Sequence, residues 1–348
     1  MIRHRGRRIV FLLGLLATVV LAIGYLWIRS PRRPGSAERV VVEFPIGTPT
    51  RQIFRTLQAK GIARDALLAE IYYRTFRHGV PLRAGEYSFS AGEPLDRAID
   101  LLERGEVVRH VVVVPEGLTN AECFALFVQQ GIGTEQGFRR ASREPNLLPG
   151  PPLAAPDLEG FLFPDTYVVT RSTPTREVVS TMVENFRRHF TPELTRRAEG
   201  LGLTVRQAVT VASLVEKETS LPEERPHVAA VYLNRLKIGM RLQCDPTVIY
   251  ALQERREWTG KLRRSDLDVD SPYNTYLYAG LPPGPICNPG AAALEAAVAP
   301  SASRDLYFVA RGDGGHYFSR TYADHLAMIE KSRANAAASD APPEEPPN

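Results

Sequence analysis

The feature that most constrains this chain is an apolar run from Ile9 to Ile28, broken only by Gly14, Thr18, Gly24 and Tyr25. About twenty apolar residues are enough for an α-helix to cross the hydrocarbon layer of a bilayer. A cleaved secretory signal is the competing reading, with Ala22-Ile23-Gly24 as its small-residue cleavage site. The run continues through Tyr25-Leu-Trp-Ile28, beyond a usual signal core, and Trp27 stands where interfacial aromatics sit. An uncleaved anchor over residues 9–28 is therefore expected. Arg3, Arg5, Arg7 and Arg8 favour a cytoplasmic N-terminus (residues 1–8), with the rest of the chain on the outer face of the inner membrane. Arg29, Arg32 and Arg33 flank the other end, so the charge bias is narrow.

That end also distorts the charge balance. The 348-residue chain carries a formal net charge of +4, but seven of its 43 basic residues are arginines within residues 1–33, where no acidic residue occurs. The other 36 basic residues face 39 acidic ones, a net of −3, which gives no basis for a nucleic-acid partner. The three cysteines, Cys123, Cys244 and Cys287, are odd in number and widely spaced. They suggest buried or neutral thiols and neither a disulfide framework nor a zinc site.

Residues 29–38, with Pro31, Pro34 and Gly35, read as a linker. Val40–Phe44 then has the pattern of a strand. Ile53, Leu57 and Ile62 space a first helix, and Leu67, Leu68, Ile71 and Tyr72 a second. Gly85–Phe89 reads as another strand, Leu95–Glu103 as a helix and Val111–Val114 as a β-branched run. The strand–helix–helix–strand order over 39–115 resembles the LysM glycan-binding module; a small α/β domain without a ligand site is the other reading. A helical stretch runs from Ala121 to Gln130. Pro145–Pro156 is proline-dense, as an exposed loop would be, and Glu159–Tyr167 is aromatic-rich and should pack against or line something. Residues 335–348 have the composition of a disordered tail. The fold class expected is α+β: an N-terminal transmembrane helix, a small β-α-α-β module, and a mixed α/β domain over 116–334.

The run Ser213-Leu-Val-Glu-Lys-Glu-Thr219 places two carboxylates on an apolar segment. Thr204-Val-Arg-Gln207 has the form of a capping box, and Val205, Ala208, Val211, Ala212, Leu214 and Val215 mark one apolar face at helical spacing. A carboxyl group at the edge of such a helix can have its pKa raised by desolvation and donate a proton near neutral pH. At about 100° per residue, Glu216 and Glu218 diverge by about 200° and cannot both point into one cleft. Phase puts Glu218 somewhat nearer the centre of the apolar face without deciding between them, and a solvated Glu-Lys-Glu turn would look the same.

Downstream, Glu223–His227 through Val231–Leu236 reads as a second helix. A turn at Gly239, an extended piece and another helix near Asp245-Pro246 follow, with Asp245 as a plausible N-cap and proline at the first helical position. Asn274-Thr-Tyr276 and Gly280-Leu-Pro-Pro-Gly-Pro-Ile-Cys-Asn-Pro-Gly290 form a stiff loop suited to holding backbone amides and carbonyls in place. His316 and His325 lie near Asp313 and Asp324, but His316 follows a Gly312–Gly315 hairpin turn. A hydrogen-bonding or packing histidine is expected, and no metal.

Several of these motifs together resemble the endolytic murein transglycosylases, also called the MltG or YceG-like family. They are Glu-Gly-Phe-Leu-Phe-Pro-Asp-Thr-Tyr167, Glu-Lys-Glu-Thr219, Val-Tyr-Leu-Asn-Arg-Leu236 and Met-Arg-Leu-Gln-Cys-Asp-Pro-Thr-Val-Ile-Tyr250. Tyr273-Asn-Thr-Tyr276, Gly-Leu-Pro-Pro-Gly-Pro-Ile286 with Asn-Pro-Gly290, and Tyr307-Phe-Val-Ala with Gly-Gly-His-Tyr-Phe318 complete the set, in the same order, across roughly residues 40–330. Cys244 stands where many relatives have Thr or another residue. The resemblance implies cleavage of the β-1,4 bond between N-acetylmuramic acid (MurNAc) and N-acetylglucosamine (GlcNAc) in peptidoglycan, with formation of 1,6-anhydro-MurNAc ends. The catalytic carboxylate of lytic transglycosylases lies in a Glu-Ser or Glu-Thr pair, which selects Glu218. Thr219, Gln243, Asp245, Asn274, Tyr276 and Asn288 are the expected substrate contacts. The family implies no cofactor, and it implies peptidoglycan strands, the membrane and cell-wall synthases as partners. Two alternatives stand beside this reading. One is a muramidase-type hydrolase with Glu223, Glu224 or Asp245 as second carboxylate. The other is a non-catalytic glycan-binding scaffold.

Overall fold

A computed structural model describes residues 2–32, 36, 38–77, 79–90, 92–144, 147 and 157–339. Pro34 and Gly35 of the linker, most of the 145–156 loop and the last nine residues of the tail lie outside these. The chain forms two compact units: residues 1–111 with 168–173, and residues 112–167 with 174–348.

In the first unit, α1 (Ile2–Arg29) is one continuous helix. Its stretch Phe11–Arg29 is apolar and long enough to cross a membrane, by length and composition. β1 (Arg39–Phe44), α2 (Thr50–Ala59), α3 (Ala66–Phe76) and β2 (Gly85–Ser90) follow in the expected strand–helix–helix–strand order, and α4 (Leu95–Arg104) and β3 (His110–Val113) complete the succession. β1 and β2 are antiparallel, with Val40 opposite Phe89 and Val42 opposite Tyr87. Alternation along β1 sends Val42 and Phe44 inward, where they meet Phe54, Leu57, Tyr73, Tyr87, Ile99 and Leu102 in one apolar core. Asp65 caps α3, its carboxylate accepting the Leu68 N–H at 2.9 Å.

The face that α3 gives to this core is not the one its sequence suggested. Of Leu67, Leu68, Ile71 and Tyr72, only Tyr72 is buried; the inward residues are Ala66, Ala69, Glu70, Tyr72 and Tyr73. Periodicity finds an apolar face, but α3 has two, and the small-residue face is the one that fits closely against α2.

The second unit contains α5 (Asn120–Gln129), α6 (Glu135–Ala141), α7 (Thr175–His189), α8 (Pro192–Gly200), α9 (Val205–Glu218), α10 (Arg225–Lys237) and α11 (Asp245–Arg255). A short 3₁₀ turn at Arg264–Asp268 precedes α12 (Ala291–Val298), and α13 (Tyr322–Ser339) closes the series. β4 (Thr166–Val169) begins at the end of the aromatic-rich segment, and β5 (Tyr307–Ala310) pairs with β6 (His316–Ser319) in a hairpin whose register sets Ala310 opposite His316. The aromatic-rich segment is internal: Phe161, Leu162, Phe163 and Tyr167 are all buried. α13 reaches Ser339, so residues 335–339 of the expected tail are helical. The framework of the site is α9 packed on α10 and α12, with β5 laid on α10 and on α13.

Candidate active site

The capping box read from the sequence opens α9. The Thr204 hydroxyl accepts the Gln207 N–H at 3.3 Å, and the Gln207 side chain accepts the Thr204 N–H at 2.9 Å. From Ala208 to Val215 the helix is buried without interruption, so its position is fixed by packing. It ends at Glu218, and Thr219 is already extended, with φ −138°. Both glutamates therefore sit in the last turn, where outward-pointing carbonyls disfavour a negative charge.

The two carboxylates leave the helix toward different neighbours. Glu216 Oε1 accepts from the Arg225 guanidinium at 3.1 Å, and its Oε2 accepts the Gly290 N–H at 3.0 Å. A Cβ at Gly290 would overlap the Glu116 carboxylate, which would have to swing aside. Burial pushes the Glu216 pKa up, while the Gly290 amide and Arg225 pull it down. Glu218 instead opens on a pocket of about 380 Å³, a size suited to part of a small ligand. Its Oε1 accepts the Tyr232 hydroxyl at 2.5 Å. Burial raises the Glu218 pKa above its ordinary value; hydrogen bonds from Tyr232 and from the Cys244 thiol offset part of that, and the nearby Asp245 charge adds to it. Burial also holds the Tyr232 phenol and the Cys244 thiol well above their ordinary values, so both remain neutral.

Gln243, Asp245 and Tyr276 line the same pocket as Glu218. Gln243 is held at φ +48°, a left-handed conformation rare for a residue with a side chain. Its N–H bonds to the Thr275 carbonyl at 3.2 Å, and the Cys244 N–H bonds to the Thr275 hydroxyl at 3.0 Å, which ties this segment to the 274–276 loop. The expected N-cap role of Asp245 is not what the structure has. Cys244 is the cap residue of α11, and the Asp245 carboxylate accepts the Tyr276 hydroxyl at 2.5 Å. No side chain caps the helix.

Three expected substrate contacts lie elsewhere. Asn274 is fully buried: its amide donates to the carbonyls of Leu267 and Val269, and its oxygen accepts the Tyr276 N–H. Asn288 is also fully buried, bonded to Leu162 N–H, the Leu118 carbonyl and the Asn120 side chain. Neither has a polar group left for a sugar; each fixes a loop that carries the wall of the site. The Thr219 hydroxyl accepts the Leu221 N–H at 3.1 Å and donates to Glu224 at 3.4 Å. The stiff 280–290 loop does hold amides in place: the Ile286 N–H donates to the Ser213 hydroxyl of α9 at 3.1 Å.

The pocket also contains residues that sequence reasoning did not select. Arg235 lines it while its guanidinium donates to the carbonyls of Leu306 and Leu242, both at 2.6 Å. Phe308 and His316 arrive from the β5–β6 hairpin, and His325 from α13. The His316 N–H and Nδ1 meet the two oxygens of Glu224 at 2.8 and 2.7 Å. Burial raises the Glu224 pKa, but these His316 bonds outweigh it and hold the carboxylate below its usual value. An acceptor-only carboxylate at Nδ1 makes that nitrogen the protonated one. The signals for these residues were weak. Tyr232 and Arg235 sat in a run read only as a second helix, and His316 was read as a hydrogen-bonding or packing histidine beside a hairpin turn.

Residues 42–331 match the family model described as the YceG-like family. The chain is 29% identical over 344 residues to a protein named endolytic murein transglycosylase from Streptococcus pneumoniae serotype 2 (strain D39 / NCTC 7466), covering 87% of this chain and 60% of that one. It is 28% identical over 317 residues to a protein of the same name from Bacillus subtilis (strain 168), covering 86% and 87%. A 2.6 Å crystal structure of a YceG-like protein from Listeria monocytogenes is 30% identical and superposes with a TM-score of 0.54 over 84% of this chain and 99% of that chain. The chain thus spans about three fifths of the length of the pneumococcal relative.

Proposed function

This chain belongs to the YceG-like family, and from that premise we propose that it is an endolytic lytic transglycosylase of peptidoglycan with Glu218 as its single catalytic carboxyl. The observation that carries the reading is the state of Glu218. It is a half-buried carboxyl with a raised pKa, hydrogen-bonded to a neutral phenol and opening on a pocket. Such a group arrives at the substrate with its proton. It donates that proton to the GlcNAc O4 as the bond to the MurNAc anomeric carbon breaks. The carboxylate so formed takes the proton of the MurNAc 6-hydroxyl, whose oxygen closes on the anomeric carbon to give the 1,6-anhydro sugar. One group returns to its starting state and no water is consumed. Gln243, Asp245 and Tyr276 are the substrate contacts of this reading, and His316, fixed by Glu224, is added to them.

In the same proposal α1 is a retained anchor with its N-terminus in the cytoplasm. The catalytic unit then faces the outer side of the inner membrane, beside the synthases that extend the strands. The β1-α2-α3-β2 order supports a LysM-like module between anchor and catalytic unit. Asp245 is the one observation favouring hydrolysis, since it is a second carboxylate in the pocket. Mass spectrometry of glycan strands digested by the full-length protein and by Glu218→Gln tests the assignment. The expected result is anhydro-MurNAc ends from the unaltered chain and none from the variant. Reducing ends would favour the hydrolase, and turnover by the variant would remove Glu218 from the mechanism. Strand binding without turnover by the unaltered chain would favour the scaffold.

A further inference from the structure

The core of the first unit takes only one face of α3. Leu67, Leu68, Ile71 and Phe76 remain 59, 39, 51 and 55% exposed. At about 100° per residue Leu67, Ile71 and Leu68 span about 100° of the circumference on the side away from Ala69 and Tyr73 in the core, with Phe76 farther round beyond the buried Tyr72. An apolar face left outside the core calls for a second apolar partner, and an exposed patch of this kind marks a contact surface.

The position of the patch identifies the partner. It forms one wall of a groove of about 420 Å³ whose other wall is α1 from Val20 to Ile28. The Tyr25 ring packs edge-on against Tyr72 and Phe76, with centroids 5.6 and 5.2 Å away. Arg29 is ion-paired with Asp96 of α4, so the outer end of α1 is fastened to the module. Val20 and Leu21 belong to the apolar span. At 1.5 Å per residue, Val20 lies about 13 Å down the helix axis from Arg29. With Arg29 at the boundary, that depth is close to the middle of a hydrocarbon layer about 30 Å thick. A groove that reaches Val20 on one side carries Leu68 and Ile71 to hydrocarbon depth on the other.

We propose that the exposed face of α3 is immersed in the outer half of the bilayer that α1 crosses, with lipid acyl chains filling the groove. Polar groups sit where the headgroup layer would be. Arg64 stacks its guanidinium over Trp27 at 5.4 Å and bonds to the chain just beyond α1 at Ser30 and Pro31. Arg74, which borders the exposed face of α3, has its charge paired with Glu70 at 2.8 Å. The module is then a membrane-seated base and not a domain swinging on a tether.

This proposal rests on α1 being the membrane span. Its test uses the full chain in phosphatidylethanolamine–phosphatidylglycerol vesicles, with single nitroxide labels at Leu68→Cys, Ile71→Cys, Leu16→Cys and Lys237→Cys. The native cysteines are all buried and stay unlabelled. Power saturation compares access of oxygen, which partitions into lipid, with access of a water-soluble nickel chelate. The expected result is a shift toward oxygen at positions 68 and 71, matching position 16 and opposite to position 237. Nickel access at position 71 with a deep label at position 16 would overturn the proposal alone. An aqueous label at position 16 would overturn the anchor and this proposal together. Exclusion of both reagents with dipolar broadening between labels would mean a second protein copy covers the face, and would also overturn it. An Ile71→Trp variant in which Trp27 and Trp258 are replaced by Phe, read by brominated-lipid quenching, repeats the measurement without a cysteine, and absence of quenching there would contradict it.

Discussion

The two sides of the last turn of α9 hold the same chemical group in opposite settings. On one side Glu216 meets a guanidinium at 3.1 Å and a backbone amide at 3.0 Å, and is enclosed by α10 and the stiff 280–290 loop. On the other side Glu218 meets a phenol and a thiol and faces an open pocket. Burial raises both carboxyls. A cation in hydrogen-bond contact makes Glu216 half of a structural ion pair, whereas Glu218 has only neutral donors in contact and keeps its proton available. Partners, and not residue type, divide the roles, and the division comes from a turn of about 200° between residues two apart.

The largest expected effect separates the two sides outright. Glu218→Gln should lower turnover by roughly 10²–10⁴, the range for losing a positioned general acid, with circular dichroism unchanged. A loss no greater than that of Glu216→Gln would break the comparison. The same variant has a stability signature. Because the folded pKa of Glu218 lies above its unfolded value, the protonated form stabilises the fold fully below about pH 4.3. That contribution is lost as pH rises through the folded pKa. Glu218→Gln, which never ionises, should therefore gain in melting temperature relative to the unaltered chain as pH rises above about 4.3. A pH-independent difference would contradict the raised pKa.

On the other side of the turn, Glu216→Gln leaves Arg225 with Glu116 alone, at 3.7 Å. Removing one partner of a buried pair costs about 3–5 kcal/mol, to be read by denaturant unfolding. A loss of activity at unchanged stability would move Glu216 from scaffold to chemistry. Tyr232→Phe removes a bond that lowers the Glu218 pKa, so the alkaline limb of the pH–rate profile should move to higher pH. The rate change should be up to about tenfold for a bond worth roughly 1.5 kcal/mol. Movement to lower pH would contradict the assigned contact. Cys244→Ser keeps a donor beside Glu218 and should change the rate only a few-fold, for a difference of about 0.5 kcal/mol. An effect as large as that of Tyr232→Phe would mean the thiol is the principal partner.

Local signals in the sequence carried the helices around the site well. The Thr204 capping box, the apolar spacing to Val215 and the Gly239 turn each act within a few residues, and α9, α10 and α11 follow them. The site itself closes through contacts that no local pattern encodes. Glu224 and His316 meet across 92 residues, and Tyr232 reaches Glu218 only because α10 folds back on α9. Asn274 and Asn288 are buried against backbone partners, and a polar side chain in a stiff loop reads the same in sequence whether it faces a sugar or its own backbone. Asp245 is not the cap of α11, and its carboxylate accepts the Tyr276 hydroxyl, a partner 31 residues away. For α3, spacing revealed an apolar face and gave no information on what that face meets.

The most direct test of a single carboxyl serving as acid and then base is the fate of water. Uncrosslinked glycan strands digested by the full-length protein in water labelled with heavy oxygen should yield MurNAc ends that carry no label and weigh one water less than reducing ends. Labelled reducing ends would show that water is the nucleophile and that a second carboxylate, with Asp245 the one in the pocket, shares the work with Glu218.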